Sequence, residues 1–286
     1  MAQQLQLFSE VNKTVFEEPF VYGYVDNFLP PEIYRALDET FLNPRDSDRH
    51  QIFRDGKERL NFVAPPTPDF IPEGSPWAEF IAEIGSEEYR SDIFRWAKAG
   101  FLGSRFSSGQ YGDFLKNRFD ADPSETRFSC EFSSLSECAK LAPHTDAPTK
   151  VVSFVYYFPP NGWQSEWGGA TEVYEAKKEK HQYNWHNRSV SPKLVTTRFQ
   201  AEFKPNRVFF FVKNVNSWHG LSAVTSPRSF PRRSFNFSLS LPAVLFEDAD
   251  VAFGNNEIKR FERRIFFPET VRQRIATFGA SRFKKR

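Results

Sequence analysis

The sequence predicts a mainly β fold with a helical layer ahead of it, in the α+β class. Three observations carry this. Runs rich in β-branched and aromatic residues recur at 150–158 (KVVSFVYYF), 170–174 (ATEVY), 207–212 (RVFFFV) and 234–241 (SFNFSLSL), and the last alternates polar and apolar as a half-buried strand does. Residues that stop or turn a strand separate these runs, Pro159-Pro160 and Trp167-Gly168-Gly169. Upstream the period changes, with Ile33, Leu37 and Phe41 at helical spacing.

Taken in order, residues 28–41 read as a helix, because Pro31 and Glu32 suit a first turn. Ser75-Pro76 and Ser86-Glu87-Glu88 mark two further helix starts. The run 150–158 has no alternation and reads as a strand buried on both faces. Residues 175–200 interrupt the strand series with a charged and aromatic stretch that holds Lys177, Lys178, His181, Tyr183, Trp185 and His186. It reads either as a lid over a catalytic mouth, whose excision would spare the metal, or as a solvated hairpin. With no Gly/Ser linker and no repeat, one integrated unit is expected: an N-terminal helical and mixed layer over 1–125, a β core over 126–242 and a basic helical tail over 243–286.

Composition narrows the function classes. The 286 residues are 40% hydrophobic and 17% aromatic, enough for one large core and without a disorder-like bias. The 33 Phe point to packing by aromatic plates. Two cysteines, Cys130 and Cys138, are too few for a disulfide framework, and a reducing cytoplasm is expected. No apolar run reaches membrane-spanning length and the N-terminus does not read as a leader, so no membrane partner is expected. Residues 259–286 hold ten Lys or Arg and two Glu, a local +8 that leaves −6 on the rest of a chain with net charge +2. Phe261, Ile265, Phe266, Phe267, Val271, Ile275 and Phe278 interleave with those charges. The tail is therefore expected to dock on the core or at a homodimer interface, with nucleic acid ranked below both.

The chemistry sits in His144-Thr145-Asp146 and the distant His219. On an extended segment, residues two apart point the same way, so His144 and Asp146 can share one metal. A second imidazole from another strand completes two His and one carboxylate, the facial set that leaves open positions on non-haem Fe(II). His181 and His186 lack the further ligand spacing that would make a second site.

The order His-x-Asp, long aliphatic and aromatic strand, Trp and Gly-Gly turn, strand, strand, His, then Arg-x-Ser resembles the 2-oxoglutarate and Fe(II)-dependent oxygenase superfamily, in its prolyl-4-hydroxylase-like branch. The resemblance covers about residues 126–242. It implies a double-stranded β-helix, or jelly roll, with the metal at one mouth. It implies Fe(II) on His144, Asp146 and His219, 2-oxoglutarate as co-substrate, dioxygen as oxidant and ascorbate as an accessory. The implied reaction hydroxylates an unactivated C–H bond of a protein or peptide residue, prolyl-type, or of a small molecule, releasing succinate and CO2. Asp146 argues against a halogenase, which by the same resemblance lacks the carboxylate.

The family also implies a cation for the far carboxylate of 2-oxoglutarate. Period two separates the candidates. Arg232, Ser234 and Asn236 share one strand face, while Arg233, Phe235 and Phe237 share the other. The polar face suits the co-substrate and Arg232-x-Ser234 matches the family pattern, with Arg233 the alternative. A guanidinium fork pairs with a carboxylate through two parallel hydrogen bonds. Matching to the family favours Tyr156 as the accompanying hydroxyl over Tyr157, and Lys150 is a further candidate at the mouth. The rival reading is a non-catalytic jelly-roll module whose basic tail contacts a partner.

Overall fold

The computed structural model describes residues 13–52, 57–103, 118–136, 139, 141–178, 181, 184 and 189–242. The expectation for the tail over 243–286 lies outside them. Among the described residues there are twelve strands: β1 (Lys13–Phe16), β2 (Tyr22–Asp26), β3 (Gln51–Ile52), β4 (Glu58–Ala64), β5 (Arg127–Leu135), β6 (Leu141–His144), β7 (Lys150–Tyr157), β8 (Thr171–Ala176), β9 (Val195–Ala201), β10 (Arg207–Val212), β11 (His219–Leu221) and β12 (Arg232–Ser240). Three α-helices precede β5: α1 (Pro31–Glu39), α2 (Pro76–Gly85) and α3 (Glu87–Leu102).

The strands form two sheets, β1-β2-β10-β7-β12-β5-β4-β3 and β6-β11-β8-β9, with antiparallel pairings throughout. From β5 to β12 the chain passes back and forth between the sheets, the winding of a double-stranded β-helix. From the helical and mixed N-terminal layer, β1 to β4 lengthen the large sheet at both edges. One sequence expectation needs correction here. The interruption between strands is shorter than 175–200, because 195–201 is β9, paired along β8 from Thr171↔Ala201 to Ala176↔Val195. β9 is an edge strand with exposed Thr196, Thr197 and Arg198, so it carries too little apolar pattern to be read as a strand.

The helices start where their caps stand. Ser75 Oγ accepts from Ala78 N and Ser86 Oγ from Tyr89 N, each at 3.2 Å, while Pro31 occupies the first turn of α1. The helices pack on one face of the large sheet through aromatic rings. Trp77 of α2 meets Phe132 at 4.6 Å and Phe235 at 4.9 Å between centroids, and its Nε1 donates to Leu37 O of α1. The apolar alternates of β5 and β12, among them Phe128, Phe132, Phe235 and Phe237, are consumed by this core. Their polar alternates therefore face the other way, toward the second sheet. A separate cluster of Tyr157, Val173, Phe203, Phe209 and Phe211 fills the space near that sheet.

Candidate active site

His144 closes β6 and His219 opens β11, and the two are directly opposed across the ladder. Their ring centroids lie 4.3 Å apart. Asp146 reaches the same point by a different route from the one the spacing predicts. The strand ends at His144, and Asp146 adopts a left-handed backbone with φ 70°, a conformation Asp tolerates better than most residues. The turn swings its carboxylate back: Oδ1 stands 3.5 Å from His144 Nε2 and 3.8 Å from His219 Nε2.

The remaining contacts fix each ligand atom. His144 Nδ1 lies 2.9 Å from Ala142 O and His219 Nδ1 2.9 Å from Ser217 O. A ring nitrogen facing a carbonyl carries the proton, so both Nε2 lone pairs are free to point at a metal. Burial, with His144 beside it, pushes the His219 imidazole down to about 3 and keeps it neutral. Asp146 Oδ2 accepts from Ser153 Oγ at 2.8 Å and from Lys150 Nζ at 3.1 Å, which leaves Oδ1 for the centre. Burial opposes ionisation of Asp146, but the Lys150 ammonium leads the groups that outweigh it and hold the carboxyl well below its ordinary value. The three ligand atoms lie within 4.8 Å of one another. Two imidazole nitrogens and one ionised carboxylate oxygen suit Fe(II) and leave positions for other ligands.

The loop between the ligands is held from behind. Thr145 Oγ1 donates to Asn184 O at 2.5 Å and accepts from buried Lys213 Nζ at 3.1 Å, and Ser217 Oγ donates to Thr145 O at 3.3 Å.

Arg232, the first residue of β12, is buried in the wall of the same cavity, which measures about 730 Å³. Its Nε donates to Gly169 O at 2.6 Å and its other nitrogens face Ser234 Oγ and Thr171 Oγ1. The guanidinium lies over the rings of Phe203 and Tyr157, at 4.7 and 5.2 Å. Burial lowers it to about 10, so it stays charged at neutral pH. The Gly-Gly turn is required here: Gly169 has φ 77°, and a Cβ on it would stand 2.9 Å from Arg232 Cδ. Arg233 points the other way, donating to Phe158 O and to Asp38 Oδ1 of α1. Asn236 lines the cavity and donates to Glu131.

One expectation changes. Tyr156 does not reach the cavity, because its hydroxyl donates to Asn206 Oδ1 in the core against the helices, with Phe28 and Phe158 around it. Tyr157 is the tyrosine beside Arg232, and its hydroxyl donates to Thr171 Oγ1 at 2.6 Å. Lys150 lines the cavity and engages Asp146. The signal that decides between the tyrosines was in the sequence. Ser153 is the one polar residue between Val151 and Tyr156, and a serine facing the metal ligands puts Val155 and Tyr157 on the same side by strand parity. Thr171 and Phe203 carried no signal, since only the folded sheets bring them to Arg232.

Jelly-roll winding, two histidines and an aspartate converging on one point, and a buried arginine in the same cavity define a non-haem iron oxygenase. Residues 130–239 of the chain match the family described as the 2OG-Fe(II) oxygenase superfamily. The chain is a 2-oxoglutarate-dependent oxygenase, with Fe(II), 2-oxoglutarate and dioxygen as cofactor and co-substrates. Among solved structures it is similar to a Pseudomonas putida prolyl-4-hydroxylase, at 16% identity and TM-score 0.46, over 77% of this chain and 92% of that one. It is also similar to a Trichoplax adhaerens prolyl hydroxylase in complex with a hypoxia inducible factor peptide fragment, at 12% identity and TM-score 0.46, over 77% and 83%. No curated protein matches the sequence. No helix among the described residues is long and apolar enough to cross a membrane.

Proposed function

We propose that the chain hydroxylates an unactivated C–H bond of a peptide residue, prolyl-type, or of a small molecule, coupled to conversion of 2-oxoglutarate to succinate and CO2. The single observation that carries this is the convergence of His144 Nε2, His219 Nε2 and Asp146 Oδ1, with Arg232 in the same cavity. Preference for a prolyl residue rests on the order of motifs from His-x-Asp to Arg-x-Ser.

In this reading His144, Asp146 and His219 hold Fe(II), which when bound supplies the activation of dioxygen. Ser153 and Lys150 fix the carboxylate so that one oxygen faces the metal. The two backbone carbonyls at Ala142 and Ser217 hold the imidazoles in the tautomer that ligates. Arg232 takes the far carboxylate of 2-oxoglutarate as a charge-assisted pair, and Ser234, Thr171 and Tyr157 set the plane of its guanidinium. Phe203, Phe211 and Val155 shield this end of the cavity from water. Asn236 serves the wall rather than the co-substrate. Residues 126–242 are the catalytic core in this assignment.

The test is spectroscopic. Anaerobic protein given Fe(II) and 2-oxoglutarate should develop the visible metal-to-ligand charge-transfer band, and on admission of air should release succinate. Protein that shows neither would instead be a non-catalytic binding module.

A further inference from the structure

The Asp146 oxygen that faces away from the metal centre has two donors of different kinds. Ser153 Oγ donates to Oδ2 at 2.8 Å and is neutral, and Lys150 Nζ donates to the same atom at 3.1 Å and carries a charge. With the metal at the near oxygen, one donor at the far oxygen fixes the plane of a carboxylate. Ser153, buried on β7, already supplies that donor. The ammonium adds what a hydroxyl cannot, a positive charge held against a ligand of the metal.

The backbone builds this contact in. Asp146, at φ 70°, turns the chain back, and Lys150 N donates to Ala147 O at 3.2 Å to close the turn around Pro148. Lys150 O accepts from Arg118 at 3.4 Å, and the residue pairs with Ser240 where β7 begins. Lys150 is thus fixed through its own peptide groups before any metal arrives. Its side chain is 27% exposed and that of Asp146 12%, so solvent screens the pair only in part.

A cation in this place acts on the iron through the carboxylate. It draws electron density toward the far oxygen, which leaves Asp146 a weaker donor, and its field opposes a third positive charge on the metal more than a second. Both effects have one sign. They favour Fe(II) over Fe(III).

We propose that Lys150 is a positioning residue that keeps the iron ferrous: acting through Asp146, it sets the balance between Fe(III) and Fe(II). Without it, the resting centre more readily loses one electron to dioxygen, leaving Fe(III) and superoxide. The inference rests on the oxygenase reading and adds a control on the oxidation state of its metal.

The experiment is a mediated redox titration of iron-loaded protein under argon, without 2-oxoglutarate, followed by the electron paramagnetic resonance signal of high-spin Fe(III). The midpoint potential reports the ratio of affinities for the two oxidation states. A variant that merely loosens the site weakens both alike and leaves the ratio unchanged. Lys150→Met removes the charge, and Lys150→Gln removes it while keeping a donor for Asp146. Each should shift the ratio about tenfold toward Fe(III), a fall of about 59 mV for one electron, and should hasten loss of the ferrous form in air. Lys150→Arg keeps the charge and should stay near wild type. Ser153→Ala takes away the neutral donor alone and should move the potential far less than either neutral variant. An unchanged potential in Lys150→Met and Lys150→Gln, an equal fall in Lys150→Arg or Ser153→Ala, or failure of both neutral variants to hold iron overturns the proposal. Absence of the charge-transfer band in wild type with Fe(II) and 2-oxoglutarate would overturn the oxygenase reading instead, and is read in a separate cuvette.

Discussion

At the residue scale, the metal centre separates what spacing can and cannot reveal. His144, Asp146 and His219 were legible because so few residue types ligate iron, yet the parity argument that joined His144 to Asp146 is not how the fold joins them. A left-handed turn at Asp146 does it, and a two-residue spacing carries no record of φ. Replacing His144, Asp146 or His219 by Ala should each remove most bound iron while leaving the far-ultraviolet circular dichroism of the folded protein, because all three side chains face a cavity. Metal analysis reads the outcome, and full occupancy in all three variants would exclude the triad. Arg232 and Arg233 are adjacent in sequence but face opposite sides of β12, one toward Gly169 and Thr171, the other toward Asp38 of α1. Arg232→Ala should therefore raise the KM for 2-oxoglutarate at least tenfold, since losing a buried charge-assisted pair costs on the order of 2 to 5 kcal/mol. Arg233→Ala should leave that KM near normal and lower stability by about 1 kcal/mol through the lost Asp38 pair. The reverse order would place the co-substrate on the helix side of the sheet.

At the element scale, strands with strong apolar patterns were legible and strands defined by their partners were not. β7, β10 and β12 announce themselves by composition. β2, β4 and β9 are short or half-polar, and become strands by pairing with residues far away, as β4 does with β5 about seventy positions on. The stretch between β8 and β9 shows the functional side of this. As a charged insertion it reads as a detachable lid, but its Asn184 is buried, donates its N–H to Val215 O, and accepts through its carbonyl from Thr145 Oγ1 and from Lys213. Val190 N donates to Pro143 O, beside His144. Excising residues 177–191 and bridging with Gly and Ser should therefore weaken iron retention as well as turnover, contrary to the expectation from sequence. A milder test replaces Thr145 by Val, which keeps the shape and removes the hydroxyl that ties this segment to the metal loop. Iron affinity by competition with a chelator should fall severalfold in both variants, and an excised protein that keeps normal iron affinity would restore the detachable lid.

At the scale of the whole molecule, two sheets wound from one chain meet at a site that no single element contains. His144 comes from β6, His219 from β11, Ser153 from β7 and Arg232 from β12, so the ligand set exists only when both sheets are formed. Binding at such a site stabilises the folded state alone, by about 2.7 kcal/mol at a hundredfold excess over Kd. For a chain of this size that should raise Tm by on the order of 5 to 10 °C. Anaerobic thermal unfolding is expected to show this rise with Mn(II) and 2-oxoglutarate together, and a smaller one with Mn(II) alone. 2-Oxoglutarate alone should do little in the absence of metal, because only its far carboxylate then has a designed partner. His219→Ala should lose both metal-dependent shifts, whereas Arg232→Ala should keep the shift with Mn(II) alone and lose the increment from 2-oxoglutarate. This pattern separates the two halves of the site within one measurement. Equal shifts in wild type and His219→Ala would mean that the metal binds elsewhere.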